Sequence, residues 1–140
     1  MSSVGRTSDL KHILNRQDAD GVGQFYDVRE FRHITVSVAS ANSADLTLKC
    51  QGSITKAPGD IGVAPDFSAA AEIENQWDYV GMYDYQDASL VEGDTGVVLT
   101  GTDEVRNLTV NVDGLNFINF EVSGYTAGDI TTTCQPYSNN

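Results

Sequence analysis

Residues 103–125 read DEVRNLTVNVDGLNFINFEVSGY, and the fold turns on whether one sheet face or two is apolar there. Successive side chains of a strand point to opposite faces. Asp113-Gly114 lies between two alternating apolar runs, and Asp-Gly is a strong short-range signal for a two-residue type I′ hairpin turn. That turn pairs Val112 with Leu115 and Val110 with Phe117. One face then carries Leu108, Val110, Val112, Leu115 and Phe117, and the opposite face carries Ile118, Phe120 and Val122, which are just as apolar. Two resolutions stand open. A bulge switches the faces of the second strand, or both faces are covered, the second by another element or another subunit, since large exposed apolar patches mark interfaces.

Period-two alternation extends on both sides of this stretch. FRHITVSVA (31–39) puts Ile34, Val36 and Val38 on one face, ANSAD (41–45) supplies turn residues, and DLTLKC (45–50) puts Leu46, Leu48 and Cys50 on one face. These predict two antiparallel strands joined by a short loop. VVLTG (97–101) follows the turn EGDTG, TAGD (126–129) makes another turn, and ITTTCQ (130–135) closes the sheet. The pattern predicts an all-β chain of seven to eight strands, an antiparallel β-sandwich or jelly roll. Residues 1–23 are polar and end in DADGVG; Leu10, Ile13 and Leu14 have helical spacing behind Ser8 or Asp9 as N-cap. The expected organisation is a flexible N-terminal arm over 1–23 with one helical turn, a single β-sandwich domain over 24–137, and a tail over 138–140. Residues 54–76, with Pro58, Gly59, Gly62 and Pro65, predict a long irregular connection, and a connection of that length in a compact domain is functional or docked.

NQWDYVGMYDYQD (75–87) places Trp77, Tyr79, Tyr83 and Tyr85 at one parity, with Asp78 and Asp84 at the other. In a strand the aromatics form a single row with a gap at Gly81. Packing into a core or a subunit interface fits four large rings better than a sugar-stacking platform, and Tyr suits interfaces because its ring buries area while its hydroxyl stays bonded. Trp77, Tyr79, Tyr83, Tyr85, Ile118, Phe120 and Val122 are therefore the candidate interface residues. The surplus of apolar faces over what one interior needs predicts a homo-oligomer, with a trimer as the leading form.

Charge narrows the partners. Eight basic residues face twenty acidic ones among 140 residues, a formal net charge of −12. Phosphate binding needs clustered Lys and Arg, so neither nucleic acid nor an anionic membrane is an expected partner. The start, MSSVGRTSDLKHILNRQ, lacks an apolar signal core, so synthesis in the cytoplasm with reduced, buried thiols at Cys50 and Cys134 is expected.

No pattern calls for catalysis, a cofactor or a metal. DADG (18–21) fails as a calcium loop because the expected bidentate acid falls on Arg29. His12 and His33 are the two histidines, the first on the expected arm and the second within a strand. Asp78 and Asp84, six residues apart on one strand, lie too far apart to flank one glycosidic bond. The acids read as a solvated surface, and Asn107-Leu108-Thr109 as strand rather than glycosylation site.

The order of blocks YDVREFRHITVSVAS, ADLTLKCQGSI, APDFSAA, NQWDYVGMYDYQD and GDTGVVLTGTDEVRNLTVNVDGLNFI resembles the small virion accessory proteins of tailed bacteriophages, of the capsid decoration (cement) kind, over about residues 25–134. The resemblance implies a structural protein on the capsid surface, made in the host cytoplasm, whose partners are the major capsid protein and further copies of itself. A tail or neck component, or a carbohydrate-binding module for host adsorption, are the alternatives. The arm and the two cysteines lie outside the resemblance.

Overall fold

A computed structural model of the chain describes residues 5–6, 10–56, 61, 64 and 75–138. These residues are all-β, and every strand pairing is antiparallel. Strands β1 (Gly5–Arg6), β2 (Lys11–Gln17), β3 (Gly21–Val22) and β4 (Tyr26–Asp27) precede the long β5 (His33–Ser53). Strands β6 (Asp78–Val80), β7 (Met82–Asp84), β8 (Ser89–Val91), β9 (Val97–Thr102) and β10 (Val105–Asn111) lead to the second long strand, β11 (Phe117–Ser138).

The architecture follows from β5 and β11, which run side by side from Phe117↔Ser53 to Tyr137↔His33. The turn residues at 41–45 and 126–129 do not end strands. They form a shared corner. Asn42 (φ 58°) and Ser43 (φ 57°) are left-handed in β5, Gly124 (φ 60°) and Gly128 (φ 83°) in β11, and the ladder register shifts between Ser123 and Asp129. On the other side of β5, β9 pairs with residues 44–48 and β10 with residues 33–39, so the chain rounds the same corner at Asp103-Glu104. Hydrogen bonds tie the three bends together. Ser43 N donates to Asp103 Oδ1 at 2.6 Å, Ser40 N to Glu104 O at 2.9 Å, and Asn42 Nδ2 to Asp129 Oδ2 at 2.8 Å.

One continuous sheet is thereby divided into two layers. The first runs β2, the C-terminal half of β11, the N-terminal half of β5, β10, β7 and β8. In the second, the N-terminal half of β11 pairs with β3 and β4 on one side and with the C-terminal half of β5 on the other, and that half of β5 pairs with β9 and β6. Even-numbered residues face inward along both long strands and through both halves. Ile34, Val36, Val38, Leu46, Leu48 and Cys50 of β5, and Ile118, Phe120, Val122, Ile130 and Cys134 of β11, join one buried cluster with Leu108 and Val110 of β10. Cys50 and Cys134 join this cluster from opposite layers. The result is a sandwich made by folding one sheet.

Two expectations are corrected here. The Asp113-Gly114 turn exists, with Leu115 N donating to Val112 O, but of its two central residues Gly114 alone has a positive φ (92°), so it is not the expected type I′ turn, and it joins no hairpin. Strand β10 pairs with β5 and β7 in the first layer, whereas β11 begins in the second layer beside β4 and β5. The turn carries the chain between layers. Leu108, Val110 and Val112 therefore share one core with Ile118, Phe120 and Val122, and Leu115 packs against it, whereas Phe117, expected on the face of Val110, lies half-buried on the outer side with Arg29 over its ring. Neither a bulge nor a subunit is needed to cover these two sets. Second, residues 10–23 are no helical arm. Strand β2 pairs with β11, and adjacent Ile13 and Leu14 are both buried because the ladder slips at Thr132, with Leu14 N bonded to Thr132 Oγ1 at 3.0 Å. That slip mimics helical spacing in the sequence. Most of the expected 54–76 connection lies outside the described residues.

The corner leaves no room for a side chain at Gly128, where a Cβ would lie 2.4 Å from the Ala44 Cα and 2.7 Å from the Ala41 carbonyl oxygen. Gly124 is equally left-handed but faces open space. Gly124→Ala is expected to cost about 1–2 kcal/mol from backbone conformation alone, and Gly128→Ala clearly more, since backbone must also move. Urea unfolding of the two variants measures the difference; equal losses would show that the close approach is not limiting.

Burial raises both thiols. Cys134 is pushed from the ordinary 9.0 to about 12, and Cys50 is raised by burial and, secondarily, by Cys134. A native state that holds protons the unfolded chain releases keeps this stability below pH 9.0 and loses it progressively as pH rises toward about 12. The double variant Cys50→Ala, Cys134→Ala should show a flatter alkaline decline in Tm than the parent chain, and both native thiols should resist a thiol reagent until denaturant is added.

Candidate binding surface

Parity survives in the aromatic stretch, but the single row does not. At Gly81 the chain leaves β6 in the second layer and enters β7 in the first. A glycine suits that crossing, where a Cβ would stand 3.2 Å from the Val91 carbonyl oxygen. The four rings thus divide between two outer surfaces.

On the second layer Trp77 is buried and stacks on Phe25, ring centroids 5.1 Å apart. Gln51 and Asn119 are buried there too, although alternation points them outward; Asn119 Nδ2 donates to Gly23 O at 2.9 Å. Tyr79 is half-buried. The Lys49 ammonium lies 4.7 Å from its ring centroid, and its hydroxyl donates to Glu121 Oε1 at 2.8 Å. Lys49 and Glu121 are cross-strand partners, and Tyr79 contacts both, one through its ring and the other through its hydroxyl. Burial, then the Glu121 carboxylate, pushes the Tyr79 hydroxyl up to about 12. Trp77 and Tyr79 are parts of a packed surface, and Ile118, Phe120 and Val122 lie in the core with at most 1% exposure. Trp77, Ile118, Phe120 and Val122 offer no ring or methyl group for docking, and Tyr79 offers at most part of its ring.

Tyr83 and Tyr85 are different. They are 39% and 54% exposed on the outer face of the first layer, edge to face at 5.3 Å. Tyr83 pairs with Leu90, itself 75% exposed, and Thr109 Oγ1 donates to the Tyr85 hydroxyl at 2.6 Å. Of the candidate interface residues the structure brings this pair alone together on an open surface.

The change of layer also turns Asp84 inward, beside Met82. An acid expected on a solvated face is fully buried. Arg106, extending from β10 toward the rim of the sandwich, compensates it: Nη1 lies 3.2 Å from Asp84 Oδ2, and Nε contacts Glu104 at 3.4 Å and Gln86 Oε1 at 2.5 Å. The other oxygen, Asp84 Oδ1, accepts from Gln86 N at 2.9 Å and so closes the turn that carries Tyr85. This clamp is a positioning device for the exposed rings. Asp78, by contrast, is exposed on the second layer, so the two acids share no surface. His12, expected on an arm, sits on β2 and bonds Thr133 Oγ1 through Nδ1 at 3.0 Å.

Two outer positions that sequence reasoning passed over matter as much as the rings. Asn107 and Thr109, noticed only as part of a sequon, project outward from β10 beside Thr35 and Ser37 of β5. Their signal was the repeated hydroxyl or amide residue between buried aliphatics, in ITVSV and NLTVN.

Removing one partner of a buried ion pair strands the other charge. Arg106→Ala should therefore destabilise the chain by about 3 kcal/mol, and Arg106→Met combined with Asp84→Leu should recover most of it. Chemical denaturation of the two variants reads both numbers; a single variant as stable as the parent would mean that Asp84 is compensated elsewhere.

No family model and no curated protein matches the chain. Among solved structures it is similar to the SPBc2 prophage-derived protein YomS, with a TM-score of 0.68 and 16% sequence identity over 99% of this chain and 97% of that one. The fold described above is shared along essentially the full length of both chains.

Proposed function

We propose that the chain is a structural component of a tailed-bacteriophage virion, and specifically a capsid decoration protein that binds the outer lattice of the major capsid protein. The observation that carries this is the resemblance of five sequence blocks to phage virion accessory proteins, supported by a fold shared end to end with a prophage-encoded protein. The role is mechanical and involves no catalysis. Bound at repeated lattice sites, the protein bridges neighbouring capsid subunits, and multivalent attachment through capsid symmetry strengthens individually weak contacts. Its net charge of −12 keeps free copies apart until a specific site captures them. Further copies of the chain are then neighbours on the lattice, and self-association belongs to the assembled shell.

Particles made without the protein should assemble with normal geometry yet release DNA at a lower temperature than complete ones, and adding purified protein should restore the difference. Heat release followed by a DNA-binding dye measures it. Identical release curves would remove the cement role, and labelled protein found at the tail or neck by electron microscopy would move the chain to the alternative position in the virion.

A further inference from the structure

The outer face of the first layer has an unusual composition for so acidic a chain. Cross-strand register defines two adjacent rows. One runs Leu90, Tyr83, Thr109, Thr35, Gln135, and the next runs Tyr85, Asn107, Ser37, Thr133, His12. Twenty acids are present in the sequence, yet these rows contain none, and their centre consists of hydroxyl and carboxamide groups. A groove of about 570 Å³ crosses them, with Leu10 on one side and Tyr85 on the other.

We propose that this face is a binding site for a neutral glycan. Hydroxyls and carboxamides both donate and accept hydrogen bonds, as sugar hydroxyls do. The sheet presents them as a comb, spaced roughly 4.8 Å between strands and about 7 Å between rows, on the scale of the hydroxyls along a pyranose chain. Tyr83 and Tyr85 supply ring surface for the apolar side of a sugar, and Tyr85 is held in place from two directions, by Thr109 through its hydroxyl and by the Asp84-closed turn through its backbone. The groove has the volume of a small-ligand site, which is roughly 300–1,000 Å³. The rows hold no carboxylate, ammonium or guanidinium group, which fits an uncharged ligand, and the negative charge of the whole chain disfavours an anionic one.

A second copy of the chain fits the face less well. Protein interfaces put large apolar anchors at the centre and polar groups at the rim. Here that order is inverted: the hydroxyls and amides are central, and Leu10, Leu90 and the tyrosines are peripheral. The proposal goes beyond the virion reading and does not rest on it, because it is tested on the isolated protein.

The full chain is titrated calorimetrically with cellohexaose, maltohexaose, mannohexaose and chitohexaose, and screened on an array of neutral and acidic glycans. Saturable binding to at least one neutral glycan is expected, weakened at least tenfold by Tyr85→Ala and by Ser37→Val, and unchanged by Val98→Ser on the exposed surface of the second layer. Circular dichroism checks each variant, and Ser37→Val, which keeps strand propensity, decides the matter if Tyr85→Ala fails to fold. The proposal is overturned if no neutral glycan binds, if only acidic glycans bind, or if Val98→Ser weakens binding as much as the groove variants do. It is equally overturned if light scattering shows a dimer that Leu90→Arg splits, since the face then belongs to a second copy.

Discussion

The contact between Gly128 and Ala44 holds the rest of the molecule in register. Two neighbouring strands can bend through a corner together only if their backbones nest there, and that requires one of them to carry no side chain at the point of approach. Once β5 and β11 have bent as a pair, much else follows without further choice. Alternation carries the same set of even-numbered residues to the interior of both layers. Strands β9 and β10 must round the same corner along the free side of β5, and Asp103 and Glu104 are bound there through Ser43 and Ser40. The core is then closed by residues that were already facing it.

Inward and outward positions were legible in the sequence, because side-chain alternation is a local property of each strand. Ile34, Leu46, Phe120 and Val122 all read correctly as members of apolar faces. Pairing was not legible, because it depends on what a turn does in three dimensions. ANSAD and TAGD have the composition of strand ends, and left-handed backbone does occur at Asn42, Ser43 and Gly128, but it bends a continuing ladder instead of reversing the chain. Asp113-Gly114 makes a real tight turn, yet the strands leaving it diverge into separate layers. The signal for a tight turn was right, but the turn's type and its tertiary use were different.

The candidate surface shows the same division. The shared parity of Trp77, Tyr79, Tyr83 and Tyr85 was visible, but Gly81 read as a gap in a row when it is a crossing between layers. Nothing local distinguishes the two. That crossing separates a packed pair of aromatics from an exposed pair, and it turns Asp84 from an apparent surface acid into the buried anchor of a turn. The rows of Thr, Ser, Asn and Gln left only a strand-by-strand trace, in ITVSV and NLTVN, for another reason. Each strand contributes only one or two members, so the surface exists only after the strands are assembled side by side.

The pairing of β5 with β11 also governs how the chain reaches its fold. Ladder partners Ser53 and Phe117 are 64 positions apart, and His33 and Tyr137 are 104 apart, while Gly5 pairs with Ser138 across nearly the whole sequence. Contacts of such separation pay their loop-closure entropy before they are rewarded, which places this topology among slow folders. During synthesis β5 emerges long before its partner, and its apolar positions wait without a ladder on that side until the last quarter of the chain has been made. Strands β2, β3 and β4 wait as well, since each of them pairs with β11. The beginning of this protein acquires its structure from the end, and a chain cut short before β11 has nothing onto which its first strands can add.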